Sequence, residues 1–126
     1  MKKWLIRFGV TCAVGVAMIA GLSSPAMAGD TWLIASDIDG RQVGAMQHVD
    51  DGDDFRVYDS WADGYGIEGC VQLYSPKGGW ITQRCKHNGE GAGSYVTFGY
   101  NVLEGLAYRM RLCHGITGCV YQGFHE

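Results

Sequence analysis

The sequence predicts an all-β domain: a small antiparallel β-sandwich or jelly-roll-like fold of about eight short strands, stapled by two disulfides. Three observations predict it. No convincing helical repeat follows Ala28. Seventeen glycines punctuate residues 29–126 at short intervals, and the runs between them are rich in Val, Ile, Tyr, Phe, Trp and Thr. Several of those runs alternate apolar and polar residues, the period-two mark of half-buried strands.

The first element is not part of that domain. Lys2, Lys3 and Arg7 precede an apolar run from Val10 to Leu22, and Ser23-Ser24-Pro25-Ala26-Met27-Ala28 follows. A basic start, an apolar middle and a small-x-small end form a secretory signal. The run is shorter than the roughly 20 apolar residues a membrane span needs. Residues 1–28 are therefore expected to be a removed signal peptide that takes Cys12 with it, and no lipobox marks the chain as a lipoprotein. Residues 29–126, 98 in number, are expected to form a single secreted β domain, extracellular and free of membrane after cleavage.

Strands are expected at 31–37, 41–49, 55–61, 68–75, 80–87, 95–102, 107–113 and 119–124. Asp39-Gly40 separates the first two as a two-residue hairpin signal. Asp63-Gly64 and Pro76-Lys77-Gly78-Gly79 mark further turns, and Glu104-Gly105 turns one late strand into the next. Asn88-Gly89-Glu90-Gly91-Ala92-Gly93 is the segment expected to be most flexible. The alternation around Phe55 and Val57, and in the late strands, selects Val96, Phe98, Tyr100, Val102, Tyr108, Met110 and Leu112 as core. It turns Arg109 and Arg111 outward.

Charge narrows the partners. The leader holds three of the ten basic residues and no acid, leaving seven basic against thirteen acidic, a net −6 for 29–126. Residues 29–75 carry ten acids and two bases; residues 76–126 carry three acids and five bases. No basic cluster exists to neutralise phosphates, which argues against nucleic acid. The expected partner is another secreted protein, or two.

Four cysteines remain, Cys70, Cys85, Cys113 and Cys119, and an even count in a short exported chain reads as two bridges. Of three pairings, Cys70–Cys85 and Cys113–Cys119 are preferred because each brackets one hairpin or loop. Spacings of these cysteines to His87 and His114 do not match a zinc finger or ribbon, and no cofactor or metal is expected.

Asp50, Asp51, Asp53 and Asp54, around Gly52, form an acidic turn. Calcium is one reading, but the distal Glu of an EF-hand loop is missing; a solvated turn or a docking patch for a basic partner is expected instead. No Gly-x-Ser-x-Gly or His-Glu-x-x-His motif is present. A domain this small has little room for a cleft and its supporting shell, so no enzyme activity is expected. The segment Tyr58-Asp59-Ser60-Trp61-Ala62-Asp63-Gly64-Tyr65 joins aromatic and acidic groups at a strand end. Trp61 and Tyr65 there are either core or binding edge. In the second case they act with Asp50, Asp51, Asp53 and Asp54 as one partner-binding surface running along the strand.

Asp54-Phe55-Arg56-Val57-Tyr58-Asp59 with Ala62-Asp63-Gly64, then Glu104-Gly105 through Arg111 to Cys113, then Gly118-Cys119, resembles small secreted disulfide-bearing β-sandwich proteins of actinobacteria. The adaptor subunit of umbrella toxin particles is similar in size and character. The resemblance implies a non-enzymatic connector that links subunits of an extracellular antibacterial toxin complex; it assigns no site residues. The alternatives are an inhibitor of a hydrolase, a protease or an amylase, presenting the loop between Cys113 and Cys119, and a carbohydrate-binding module.

Overall fold

The computed structural model describes residues 29–125; the expected signal peptide, residues 1–28, and Glu126 lie outside the described residues. Eight strands follow in chain order: β1 (Thr31–Ser36), β2 (Gln42–Val49), β3 (Asp54–Asp59), β4 (Ile67–Ser75), β5 (Gly79–Asn88), β6 (Ser94–Gly99), β7 (Tyr108–His114) and β8 (Gly118–Phe124). They form two four-stranded sheets, ordered β1-β2-β3-β6 and β5-β4-β7-β8, and every neighbouring pair is antiparallel. The predicted all-β sandwich with two disulfides is therefore the fold.

Alternation decides which residues the sheets trap between them. Leu33, Met46, Phe55 and Val57 from the first sheet meet Ile67, Val71, Met110 and Leu112 from the second. Phe55 stacks on Phe98 at 5.3 Å and meets Phe124 edge-on at 5.5 Å. Gly69 sits where the sheets approach most closely. A Cβ there would lie 2.6 Å from Val57 Cγ2 and 2.8 Å from Met46 Sδ, so the core itself demands glycine on this inward position.

Both bridges staple hairpins within the second sheet. Cys70 lies directly opposite Cys85 on β4 and β5, and Cys113 opposite Cys119 on β7 and β8. In the loop-entropy view, the 15-residue and 6-residue separations correspond to about 3 and about 2 kcal/mol.

Several expectations are corrected. The β1–β2 loop is longer than two residues, because Asp37 Oδ1 accepts from the N–H of Asp39 and Arg41, both at 2.9 Å, and holds a wider turn. The sixth strand stops at Gly99 rather than at 102. Tyr100 N–H donates to Asp53 O at 3.2 Å and Val102 N–H to Asp53 Oδ2 at 3.0 Å, which draws the chain off the sheet. As a result Val96 and Tyr100 are only partly buried, on the edge strand and just beyond it, while Phe98, Val102, Tyr108, Met110 and Leu112 are buried. Glu104-Gly105 lies in a crossing between sheets, not in a hairpin, since β6 and β7 belong to different sheets. The glycine-rich segment after β5 starts from a fully buried residue. Asn88 Nδ2 donates to Val57 O at 3.0 Å and Ser94 O at 3.2 Å, and its Oδ1 accepts from Glu90 N–H and Ser94 Oγ.

Candidate functional site

After Asp59 the chain leaves the first sheet and reaches the second through residues 60–66. Residues 89–93 make the return crossing alongside, and Gly93 N–H bonds Asp59 O at 2.8 Å. Between the two crossings lies a cavity of about 290 Å³, walled by Asp59, Trp61, Asp63, Tyr65 and His87 with several glycines. The glycines keep the walls apart, and the alternating aromatic and acidic residues of one loop supply its chemistry. This is the segment that the sequence marks by its mixed aromatic and acidic character.

Asp63, Tyr65 and Trp61 are held by their neighbours. Asp63 Oδ1 accepts Tyr65 N–H at 2.9 Å, and Asp63 Oδ2 accepts His114 Nε2–H at 2.7 Å. The proton is placed there because His114 Nδ1 accepts from Ile116 N–H at 3.3 Å and Thr117 N–H at 3.4 Å. Burial alone would raise the Asp63 carboxyl. The Tyr65 N–H and the His114 imidazole outweigh it and hold the group below its ordinary 3.8. Both nitrogens of His114 are thus engaged, so the pair ties the crossing loop to the β7–β8 hairpin and leaves no lone pair for base chemistry. Tyr65 packs over His114, with ring centroids 5.9 Å apart, yet stays 48% exposed. Trp61 is partly buried against the core, and the Arg41 guanidinium lies over it at 3.9 Å. Trp61 is thus core on one side and cavity wall on another.

The acidic turn lies elsewhere. Asp54 begins β3 and Asp59 ends it, a separation of about 17 Å at the rise of an extended strand. Trp61 and Tyr65 are therefore not brought together with Asp50, Asp51, Asp53 and Asp54. Asp51 and Asp54 are exposed, and Asp50 N–H donates to Asp30 Oδ1. Asp53 is bound internally: besides holding Val102 and Tyr100 it contacts the fully buried His48 Nε2 at 3.3 Å, from a backbone φ of 54°.

Two outer faces complete the surface. On the first sheet Trp32, Tyr58 and Tyr95 form a row across β1, β3 and β6, with centroids 5.5 and 5.1 Å apart. The row borders a groove of about 510 Å³ lined by Ile34, Ala45, Tyr58, Asp59 and Ser60 among others. On the second sheet the Arg109 guanidinium sits between Trp80, at 4.4 Å, and Tyr121, at 4.1 Å. Its Nε–H donates to Gln72 Oε1 at 2.7 Å, and Tyr74 meets Trp80 edge-on. Outward Arg109 is legible from alternation; its aromatic neighbours come from strands whose order in the sheet is not.

Sequence reading missed Asp59 and Asp63 as individual site residues, although it marked their segment. It also missed His114 as the support of Asp63, because 51 residues separate the two. Comparison with known protein families, curated proteins and solved structures returns no match.

Proposed function

We propose that this chain is a secreted, non-enzymatic binding module of adaptor type, which holds two partner proteins on opposite sides of the sandwich. The observation that carries the reading is the pair of aromatic outer faces. Trp32, Ile34 and Tyr95 are each about half exposed on one, and Tyr74, Trp80 and Tyr121 are 36–48% exposed on the other. The solvated face of an antiparallel sheet is ordinarily polar. Exposed Trp, Tyr and Arg in contact with each other are the material of interface hot spots. One such face suits an inhibitor or a simple binder; two suit a connector.

The resemblance to small secreted actinobacterial β-sandwich proteins points the same way, toward a link within an extracellular antibacterial complex. Two disulfides suit an oxidising compartment. The inhibitor reading has one observation of its own: Ile116 is 64% exposed at the tip of the loop closed by Cys113–Cys119.

The test uses the immobilised mature chain and culture supernatant of the producing cells, with captured proteins identified by mass spectrometry. Trp32→Ala with Tyr95→Ala should lose one captured protein, and Trp80→Ala with Tyr121→Ala a different one. Loss of the same single protein in both, or capture governed by Ile116→Asp alone, would refute the two-sided reading.

A further inference from the structure

Asp59 is a carboxylate of low exposure that belongs to no ion pair among the described residues. Its residue is 5% exposed, and its side chain takes one hydrogen bond, from Trp61 N–H at 3.3 Å. Among the described residues the ion pairs are Arg41–Asp37, His48–Asp53 and His114–Asp63, so no cation answers Asp59. One such hydrogen bond leaves acceptor capacity on the carboxylate for a further donor.

Asp59 lines both the end cavity and the groove on the first sheet's outer face. It stands where the proposed partner-binding face turns into the cavity. The cavity has Asp63 and the rings of Trp61 and Tyr65 in its walls, and neither Lys nor Arg lines it. Its donors do not converge on a point. Among the described residues only Glu68, Cys70 and Cys85 bring three metal-ligand atoms together, and two of those are bridge sulfurs. A carboxylate set beside aromatic walls, in a space of about 290 Å³, instead suits a cation carried on an alkyl stem. A guanidinium matches it best, because it is planar, stacks on rings and presents a fork of donors to a carboxylate.

We propose that the end cavity receives an arginine side chain of a partner protein, with Asp59 as its counter-charge and the half-exposed Tyr65 ring as the wall it stacks on, since the Arg41 guanidinium already lies over Trp61. This deepens the adaptor reading and rests on it. Asp63, already held by His114, adds negative charge without changing partners. The aromatic pair expected to anchor a partner then works with the acids next to it rather than with the acidic turn at the far end of β3.

The probe is acetyl-Gly-Arg-Gly-amide, titrated into isotope-labelled protein and followed by NMR at about pH 8, where ordinary imidazoles are neutral. The arginine peptide should shift the Trp61 indole and the Tyr65 and Asp59 amides. Its uncharged citrulline counterpart should bind at least about tenfold more weakly, and the lysine peptide more weakly than arginine. Asp59→Asn keeps an acceptor for Trp61 N–H but removes the charge. It should abolish the arginine shifts. Equal binding of arginine and citrulline, equal binding of arginine and lysine, or shifts away from the cavity would each overturn the assignment. In the capture experiment, an Asp59→Asn chain that still takes both partners overturns the cavity assignment alone. A chain whose captures ignore both aromatic faces overturns the reading beneath it.

Discussion

Replacing Asp53 should separate a structural role for the acidic turn from a docking role, and the size of the effect follows from its contacts. Asp53→Ala removes the acceptor of Val102 N–H, at 3.0 Å, and the only polar contact of His48, whose Nδ1 has no partner among the described residues. Val102 is 3% exposed and His48 fully buried, so water does not replace what is lost. A hydrogen bond to a charged group is worth about 1.5–3 kcal/mol, and an orphaned buried donor costs about as much; these describe one loss and do not add. At a φ of 54° an alanine also carries about 1–2 kcal/mol of left-handed strain, which Asp and Asn bear better and glycine escapes. Asp53→Ala should therefore destabilise by about 3–4 kcal/mol, Asp53→Gly by about 1 kcal/mol less, and Asp53→Asn by about 1 kcal/mol. A domain of this size has about 5–15 kcal/mol in all. Urea unfolding of the four proteins at neutral pH, with common m-values, gives the series. If Asp53→Ala and Asp53→Gly match each other and lie within about 0.5 kcal/mol of the parent, the typical effect of a neutral surface change, Asp53 does not clasp the crossing loop. Asp51→Ala, at an exposed position of the same turn, should leave stability unchanged in either case.

Gly69→Ala should cost about 1–3 kcal/mol by overpacking Val57 and Met46, and the same change paired with Met46→Ala should recover part of it, read as urea midpoints. Replacing Cys70 and Cys85 together by Ser should cost about 2–4 kcal/mol, measured against the parent under non-reducing conditions; non-reduced peptide mapping of the parent should yield the two intra-sheet pairs. Asp63 has its folded-state pKa depressed below 3.8. Its contribution to stability is therefore complete above that ordinary value and is lost as pH falls through the folded one. Asp63→Asn should flatten the loss of melting temperature on acidification below about pH 4, and an unchanged acid limb would refute the sign. Asn88→Leu should destabilise by about 2 kcal/mol or more by orphaning the Val57 and Ser94 carbonyls, seen as accelerated hydrogen exchange in residues 89–93.

The strands were legible because each carries its own evidence. Alternation in residues such as Phe55-Arg56-Val57-Tyr58 needs no knowledge of the neighbours, and a cysteine pair that brackets a hairpin falls opposite itself when the hairpin closes. What failed to show depends on pairs far apart in sequence. Nothing near Asn101 says that the chain leaves the sheet early, because Asp53 decides it from 49 residues away. Asn88 belongs to the most glycine-rich stretch and yet is fully buried, because the four hydrogen bonds of its side-chain amide tie the end of β5 to β3, β6 and the loop between. The site was half legible: Trp61 and Tyr65 stand in the cavity wall as a strand-end cluster suggests. Asp59 and Asp63 stand nearer to them than the acidic turn does, at the other end of β3.

A domain of this size has a core too thin to fix long connections by apolar burial alone, and its three crossings between sheets show what takes over. Asp53 closes the crossing after β6, Asn88 the one after β5, and Asp63 with His114 the one after β3. Each is a polar group with its partners in place, so each contributes position rather than exposure. Both disulfides sit in the second sheet, which leaves the first sheet and its aromatic row dependent on these clasps. The end cavity lies between the crossings held by Asn88 and by the Asp63–His114 pair, so the fold itself sets its walls. A site preorganised in this way loses little ordering entropy on binding. Asp59 borders that cavity too, and it differs from Asp53 and Asp63 in belonging to no ion pair: its one side-chain hydrogen bond comes from Trp61 N–H.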